Sequence, residues 1–205
     1  MRRVILASGS KARRKLLRQC GLKFSAAVSS VKERHGLKTG CGALVVENAM
    51  AKARDVAKKR RNGVVISADT VVLAHGRIIG KPKNAGDARR MLKLLSRRPQ
   101  WVYTGIAVLD IDKNKAFTDY DRTKIYMNPM TDSQIREYFK KISPLDKAGG
   151  FDIQGEGGRF IRKIEGCFYN VVGLPLEKLA GLLKKTGIEL KIPHECVCGQ
   201  LRGIR

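Results

Sequence analysis

The sequence predicts an α/β protein built on a mixed, twisted central β-sheet flanked by helices, arranged as two lobes around a cleft. Strand-like and helix-like segments alternate without a strict βαβ rhythm, and long hairpins intervene, which favours a mixed sheet over a purely parallel one. Apolar residues make up 43% of the 205 positions and fall in short runs, as buried strands require. That length suits one sizeable core, or one domain with two lobes, and no internal repeat or Ser-, Gly- or Pro-rich linker divides it.

Residues 3–7 form a short β-prone run, followed by Ser8-Gly9-Ser10 and a segment with Leu16, Leu17 and Cys20 at helical spacing. Val46, Ala49, Met50, Ala53 and Ala57 repeat with a helical period, predicting a helix from Val45 to about Lys59. Residues 64–68 read as a buried strand. Residues 71–73 and 78–79 read as the arms of a hairpin turning at His75-Gly76, so Asp69 is expected where one strand meets the next. A helix bearing Ala88, Met91, Leu92 and Leu95 follows. A long strand is predicted from Trp101 to Ile111, with its partner beginning after Asp112-Lys113-Asn114. Thr131 and Gln134 form a capping box for a helix bearing Ile135, Tyr138, Phe139 and Ile142. Residues 149–158 read as a Gly-rich loop and 160–164 as a strand, and Pro175 opens a helix with Leu176, Leu179, Leu182 and Leu183. Phe160 and Phe168 read as core, and His35 and His75 as loop residues.

Forty-two Lys and Arg against eighteen Asp and Glu give a formal charge of +24, which attracts polyanions such as nucleotides, RNA and DNA without choosing among them. Non-specific nucleic-acid association is therefore expected. No apolar stretch approaches the roughly 20 residues that span a bilayer, and the first residues run into a strand pattern without a signal-peptide signature. The expected setting is the cytoplasm, without membrane association. Five cysteines, odd in number and irregularly placed, are expected as reduced thiols.

A strand that delivers Ser8-Gly9-Ser10 to a helix start offers free N–H groups and the positive end of a helix dipole to an anion, with phosphate the natural candidate. Ser10 alone is equally an ordinary N-cap. Arg13 and Arg14 favour the anion reading, because cations in a first helical turn oppose the dipole unless an anionic ligand lies between them. Asp69, at the end of a buried strand, is costly unless it is paired, so it is read as holding a cation or moving a proton. Glu33 is a second candidate for metal or water activation, with a solvated loop glutamate as the alternative. Lys52 and Lys81 could reach the same cleft to neutralise a polyphosphate, although each alone reads as a solvated lysine.

Taken together, Leu6-Ala7-Ser8-Gly9-Ser10 with Arg13-Arg14-Lys15-Leu16-Leu17, Ala68-Asp69-Thr70-Val71-Val72, Gly80-Lys81-Pro82 and Thr104-Gly105 are one half of a larger pattern. The stretches from Asp146 to Gly155 and from Asn170 to Leu176 complete it. In this order they resemble the successive signatures of the Maf family, over about residues 3–186. The resemblance implies a single domain over residues 1–186 and an inosine triphosphatase-like fold with a nucleotide cleft; residues 187–205 fall outside it and read as a basic tail with a Cys-x-Cys pair. It also implies metal-dependent cleavage of a nucleoside triphosphate between its α and β phosphates. Asp69 matches the proposed general base, and Glu33, Lys52, Lys81 and Arg13 match the other charged cleft residues. Ser8, Ser10 and Arg14 complete the expected phosphate-binding set. Glu33 and Asp69 are the expected holders of a divalent ion, Mg²⁺ or Mn²⁺, which would make phosphorus more electrophilic while a carboxylate activates water. A homodimer is expected from the family alone.

One position departs from the family pattern. Its usual Ser-Pro-Arg-Arg is Ser10-Lys11-Ala12-Arg13 here, so Ala12 replaces the first arginine. The branch that acts on 7-methyl-GTP carries tryptophan at that place. Thr70 and Gln154 match the branch that acts on dTTP and UTP. The expectation is therefore a pyrophosphatase for pyrimidine or modified nucleotides, with Ala12, Thr70 and Gln154 setting the base preference. The contrasting expectation, motivated by Ala12 and the charge, is a non-catalytic protein that binds nucleotide or nucleic acid. His194, Cys196 and Cys198 in the tail have too few ligands, at an unsuitable spacing, for a closed zinc site.

Overall fold

A computed structural model describes residues 2–36, 38–145, 147–153 and 155–193. Asp146, Gln154 and the tail residues His194, Cys196 and Cys198 lie outside the described residues. Among the described residues seven strands form one mixed sheet. Strand β1 (Val4–Leu6) lies parallel to both β2 (Ser25–Ala26) and β3 (Val64–Ala74). The remaining pairings are antiparallel: β3 with β4 (Arg77–Ile79) and β5 (Gln100–Asp110), then β5 with β6 (Lys115–Met127) and β6 with β7 (Ile161–Glu165).

Local signals account for several elements. Helix α1 (Lys11–Gln19) starts where Ser10 Oγ accepts the Arg13 N–H, and it buries Leu16 and Leu17. His75 and Gly76 both have positive φ, as a two-residue hairpin turn matching the strand twist requires. Helix α3 (Ala85–Leu95) is capped by Asn84, and α4 (Asp132–Lys141) by the reciprocal Thr131–Gln134 pair. Helix α6 (Leu176–Lys184) follows Pro175 and buries its four leucines.

Other elements depart from the sequence expectation. Helix α2 (Gly40–Ala57) begins five residues before Val45, because Cys41 and Leu44 extend its buried stripe through a stretch whose glycines conceal the pattern. The strand signals on either side of Asp69 belong to one continuous β3, since its ladder to β5 runs unbroken from Val64 opposite Asp110 to Leu73 opposite Trp101. Asp69 therefore sits in mid-strand, opposite Gly105, and not at a junction of two strands. The Gly-rich loop contains two 3₁₀ turns, Ala148–Gly150 and Glu156–Phe160. A short helix, α5 (Phe168–Val172), was not indicated by periodicity, being too brief to show any.

The sheet carries two apolar clusters on each face, the second on the α2 side joining Cys41, Leu44 and Val45 to Val71. Leu6, Leu17, Ile66, Ile106, Leu176 and Leu179 join α1 and α6 to the sheet. Leu92, Leu95, Val102, Ile125, Ile135 and Tyr138 join α3 and α4 to it, and Phe168 and Val172 of α5 pack against both clusters. On the opposite face α2 packs Ala49 and Ala53 against Ile5, Val65 and Ala107. Phe160 is core, as expected, and Phe168 is half-buried against it. No helix among the described residues is long and apolar enough to cross a membrane. Cys20, Cys41 and Cys167 are buried, and burial pushes the thiols of the first two above the usual thiol pKa.

Candidate active site

The position of the site follows from strand lengths. Along one edge of β3, β1 pairs only with Val64–Ile66 and β4 only with Val72–Ala74. Between these partners the strand edge opens as a notch. Backbone polar groups in such a gap need other partners, and Arg13 from α1 supplies one of them. Its Nη1 donates to the Ala68 carbonyl at 2.9 Å, and its Nη2 donates to Thr70 Oγ1 at 2.9 Å. Its Nε donates to the Gly173 carbonyl at 2.8 Å, and Nη1 also reaches Ser8 Oγ at 3.2 Å. Burial works against the charge of this guanidinium and lowers its pKa, while Asp69 and Glu33 oppose the shift. Arg13 thus joins the first loop, β3 and the turn after α5.

The side chain of Thr70 is fixed in consequence. Thr104 Oγ1 donates to the Asn170 carbonyl at 2.8 Å and lies 2.9 Å from Thr70 Oγ1. With the Thr104 proton so engaged, the Thr70 hydroxyl donates to Thr104 and accepts from Arg13. What it retains for a ligand is acceptor capacity.

Residues of a strand alternate between faces, so Asp69 points away from Thr70, toward α2. The approach of α2 depends on Gly105 opposite Asp69, where a Cβ would lie 2.4 Å from the backbone carbonyl of Val45. That close contact sets Asn48 and Lys52 over the carboxylate. Asn48 Nδ2 donates to Asp69 Oδ2 at 2.9 Å, and Lys52 Nζ donates to Oδ1 at 2.7 Å. Asp69 is only 3% exposed, so this pairing is what makes its burial tolerable. Lys52 Nζ also lies 2.6 Å from Glu33 Oε1. Partial burial disfavours the charged Glu33, but the hydrogen bond and charge of Lys52, aided by Arg13 and His35, hold its pKa below the ordinary value.

A cleft of about 1220 Å³ takes in Asp69, Thr70, Arg13, Lys52, Glu33 and Lys81. Ser8, Ser10 and Ala12 line it as well. Ser8 Oγ accepts the Ser10 N–H, and Ser10 Oγ caps α1. Of the four N–H groups that a helix start leaves without intrahelical partners, those of Lys11 and Ala12 remain, and both residues face the cleft. Lys81 is exposed; it follows Gly80, whose carbonyl accepts the Gly149 N–H and so ties the hairpin exit to the far wall. Arg14 is not among the lining residues, and its Nη2 is 3.4 Å from the Ser8 carbonyl. Gln154 falls outside the described residues. Asn48 was not singled out from sequence, and Thr104 and Asn170 entered only as motif residues without a role. For Asn48 a signal existed: it is a polar residue within the buried stripe of α2, one turn before Lys52.

The cleft thus sets a buried, doubly hydrogen-bonded carboxylate beside a cationic wall and a helix start that keeps two N–H groups for a ligand, a combination suited to activating water against a polyanion. Comparison with known proteins agrees with this chemistry. The family model described as "Maf-like protein" matches residues 3–186. A dTTP/UTP pyrophosphatase of Methanosarcina barkeri is 44% identical over 191 residues, covering 93% of this chain and 97% of the relative. The dTTP/UTP pyrophosphatases of Bacillus cereus and Bacillus anthracis are each 42% identical over 190 residues, covering 93% of this chain and 98% of theirs. With its ordered motifs, the cleft they build and a match over nearly the whole described chain, this protein belongs to the Maf-like family.

Proposed function

We propose that this protein hydrolyses pyrimidine nucleoside triphosphates of the dTTP and UTP type to the monophosphate and pyrophosphate. The observation that carries the reading is Asp69: buried, bonded through both oxygens to Asn48 and Lys52, and opening into the same cleft as the α1 start and Lys81. The polyphosphate lies along the α1 N-terminus, where the Lys11 and Ala12 N–H groups and the Lys81 ammonium meet its charge. Asp69 orients the attacking water and accepts its proton, and Lys52 offsets the negative charge of the two carboxylates. Arg13 acts mainly as a strut, since its donors are already committed to Ala68, Thr70, Gly173 and Ser8.

The donor set fits a divalent cation of the Mg²⁺ or Mn²⁺ kind. Glu33 and Asp69 are hard oxygen donors that share one ammonium, and such ions take one or two carboxylates and draw further ligands from substrate phosphates. Among the described residues no group of three or more His, Cys, Asp or Glu side chains could hold a metal unaided, which accords with a site completed by substrate. When bound, the ion supplies charge neutralisation and polarises the phosphoryl oxygens.

Thr70, Ala12 and Gln154 set the base preference in this reading, Thr70 through its free acceptor capacity. Incubation with a panel of nucleoside triphosphates and Mg²⁺ or Mn²⁺ tests it: equimolar pyrophosphate and monophosphate from UTP or dTTP are expected. Orthophosphate in place of pyrophosphate, or no turnover of any nucleotide, overturns it.

A further inference from the structure

Below Thr70 the cleft changes character. Val72, Val102 and Ile125 of the sheet, Leu95 of α3, and Phe151 and Val172 line an apolar inner compartment. Thr104, Val102 and Gln100 point to the same face of β5, so this compartment runs down the strand from the Arg13–Thr70–Thr104 chain to Gln100. Gln100 lies opposite Ile125, is 2% exposed and lines the cleft. Its carbonyl oxygen has no hydrogen-bond partner. The buried side-chain atoms without a partner among the described residues belong to Arg14, Arg60, Gln100 and Asn170, and of these residues Gln100 alone lines the cleft.

An enclosed carbonyl oxygen without a partner in apolar surroundings is unfavourable, and its retention is explained when a ligand completes it. The spacing suits a nucleoside: at 3.3 Å per residue, the four steps from Thr104 to Gln100 span about 13 Å, enough to hold the reach from an α-phosphate to the far edge of a base. The ligand group must be planar, largely apolar on its faces, and carry an N–H for the carbonyl beside an acceptor for the amide N–H₂. The imide edge of a uracil-type base has that pattern.

Resting on the pyrophosphatase reading for its substrate, we infer that Gln100 is a base-reading residue of the cleft. Its amide pairs with the N3–H and an adjoining carbonyl of a uracil or thymine ring, whose faces lie against the apolar compartment. Blocking N3 then removes the donor and leaves the amide unpaired, and pockets built around a hydrogen bond reject such analogues strongly.

The test is calorimetric binding of the non-hydrolysable α,β-methylene analogue of UTP and of its N3-methyl form, to the wild-type protein and to Gln100→Leu, with UTP hydrolysis followed in parallel. The wild type is expected to bind the N3–H form at least about tenfold more tightly. Gln100→Leu, similar in size and checked for an unchanged melting temperature, is expected to bring the ratio close to one. Equal binding of both forms by the wild type, binding of neither, or an undiminished preference in Gln100→Leu overturns the assignment. If Gln100→Leu does not fold, Gln100→Met, of similar length and also without a hydrogen-bonding amide, is measured in its place by the same criterion. Failure of UTP hydrolysis with N3-selective binding intact counts against the pyrophosphatase reading and leaves the role of Gln100 standing.

Discussion

The Arg13 guanidinium donates to Thr70 Oγ1 at 2.9 Å across the gap that β1 and β4 leave along the edge of β3. With its bonds to the Ala68 and Gly173 carbonyls, this contact makes Arg13 a structural tie as much as a charge. Lysine keeps the charge but lacks the planar fork. Arg13→Lys is expected to destabilise the fold by about 2–3 kcal/mol through the hydrogen bonds it cannot replace, seen as a lower urea midpoint with an unchanged slope. A midpoint equal to wild type would show that the tie contributes nothing.

Asn48 holds the second oxygen of Asp69 and also bridges the chain at Arg34, whose N–H it accepts at 2.8 Å and whose carbonyl it donates to at 3.1 Å. Asn48→Ala is expected to lower kcat by roughly tenfold or more with a smaller change in KM, because it releases the carboxylate rather than the substrate. Steady-state kinetics check this, and an effect confined to KM would assign Asn48 to substrate binding.

Gly105 permits the backbone contact that brings α2 over Asp69. Gly105→Ala forces the helix away from the sheet, at an expected cost of about 3 kcal/mol, and activity should fall further than the folded fraction does. Thermal denaturation beside specific activity separates the two effects, and a variant with wild-type stability and rate would refute the close approach.

Tyr138 is fully buried, and burial pushes its phenol pKa up to about 12, against the donation it receives from the Asp152 N–H. The folded protein therefore holds this proton where the unfolded chain, with a value near 10, has lost it. Its contribution is complete below pH 10 and is lost as pH rises toward 12, a decline of about 2–3 kcal/mol. Urea midpoints from pH 9 to 11.5 should fall less steeply for Tyr138→Phe than for the wild type; parallel curves would place the phenol in solvent.

What could be read from the chain in advance was whatever depends on near neighbours. The Ser10 cap, the Thr131–Gln134 box and the His75-Gly76 turn depend on backbone geometry within a few residues. The mid-strand place of Asp69 was hidden because its cost is offset by Asn48 and Lys52, residues distant in sequence, so a charged residue looked like a strand boundary. Asp69, Glu33, Lys52, Lys81 and Arg13 were marked as one cleft by ordered motifs rather than by pattern, and the structure gathers them there. The motifs did not foretell that Arg13 spends its donors on the protein itself, or that Thr104 and Asn170 orient Thr70. Those facts arise from the partners that β1 and β4 fail to provide.

The most direct test of the account replaces the buried carboxylate. Asp69→Asn keeps the size of the side chain and an acceptor for Lys52 but turns an N–H₂ toward Asn48 Nδ2, so the protein should still fold cooperatively, with a lowered melting temperature, while pyrophosphate release from UTP falls to background at saturating Mg²⁺ or Mn²⁺. Full-rate release by this variant would contradict the account, because the reaction would then proceed without the group around which the cleft is built.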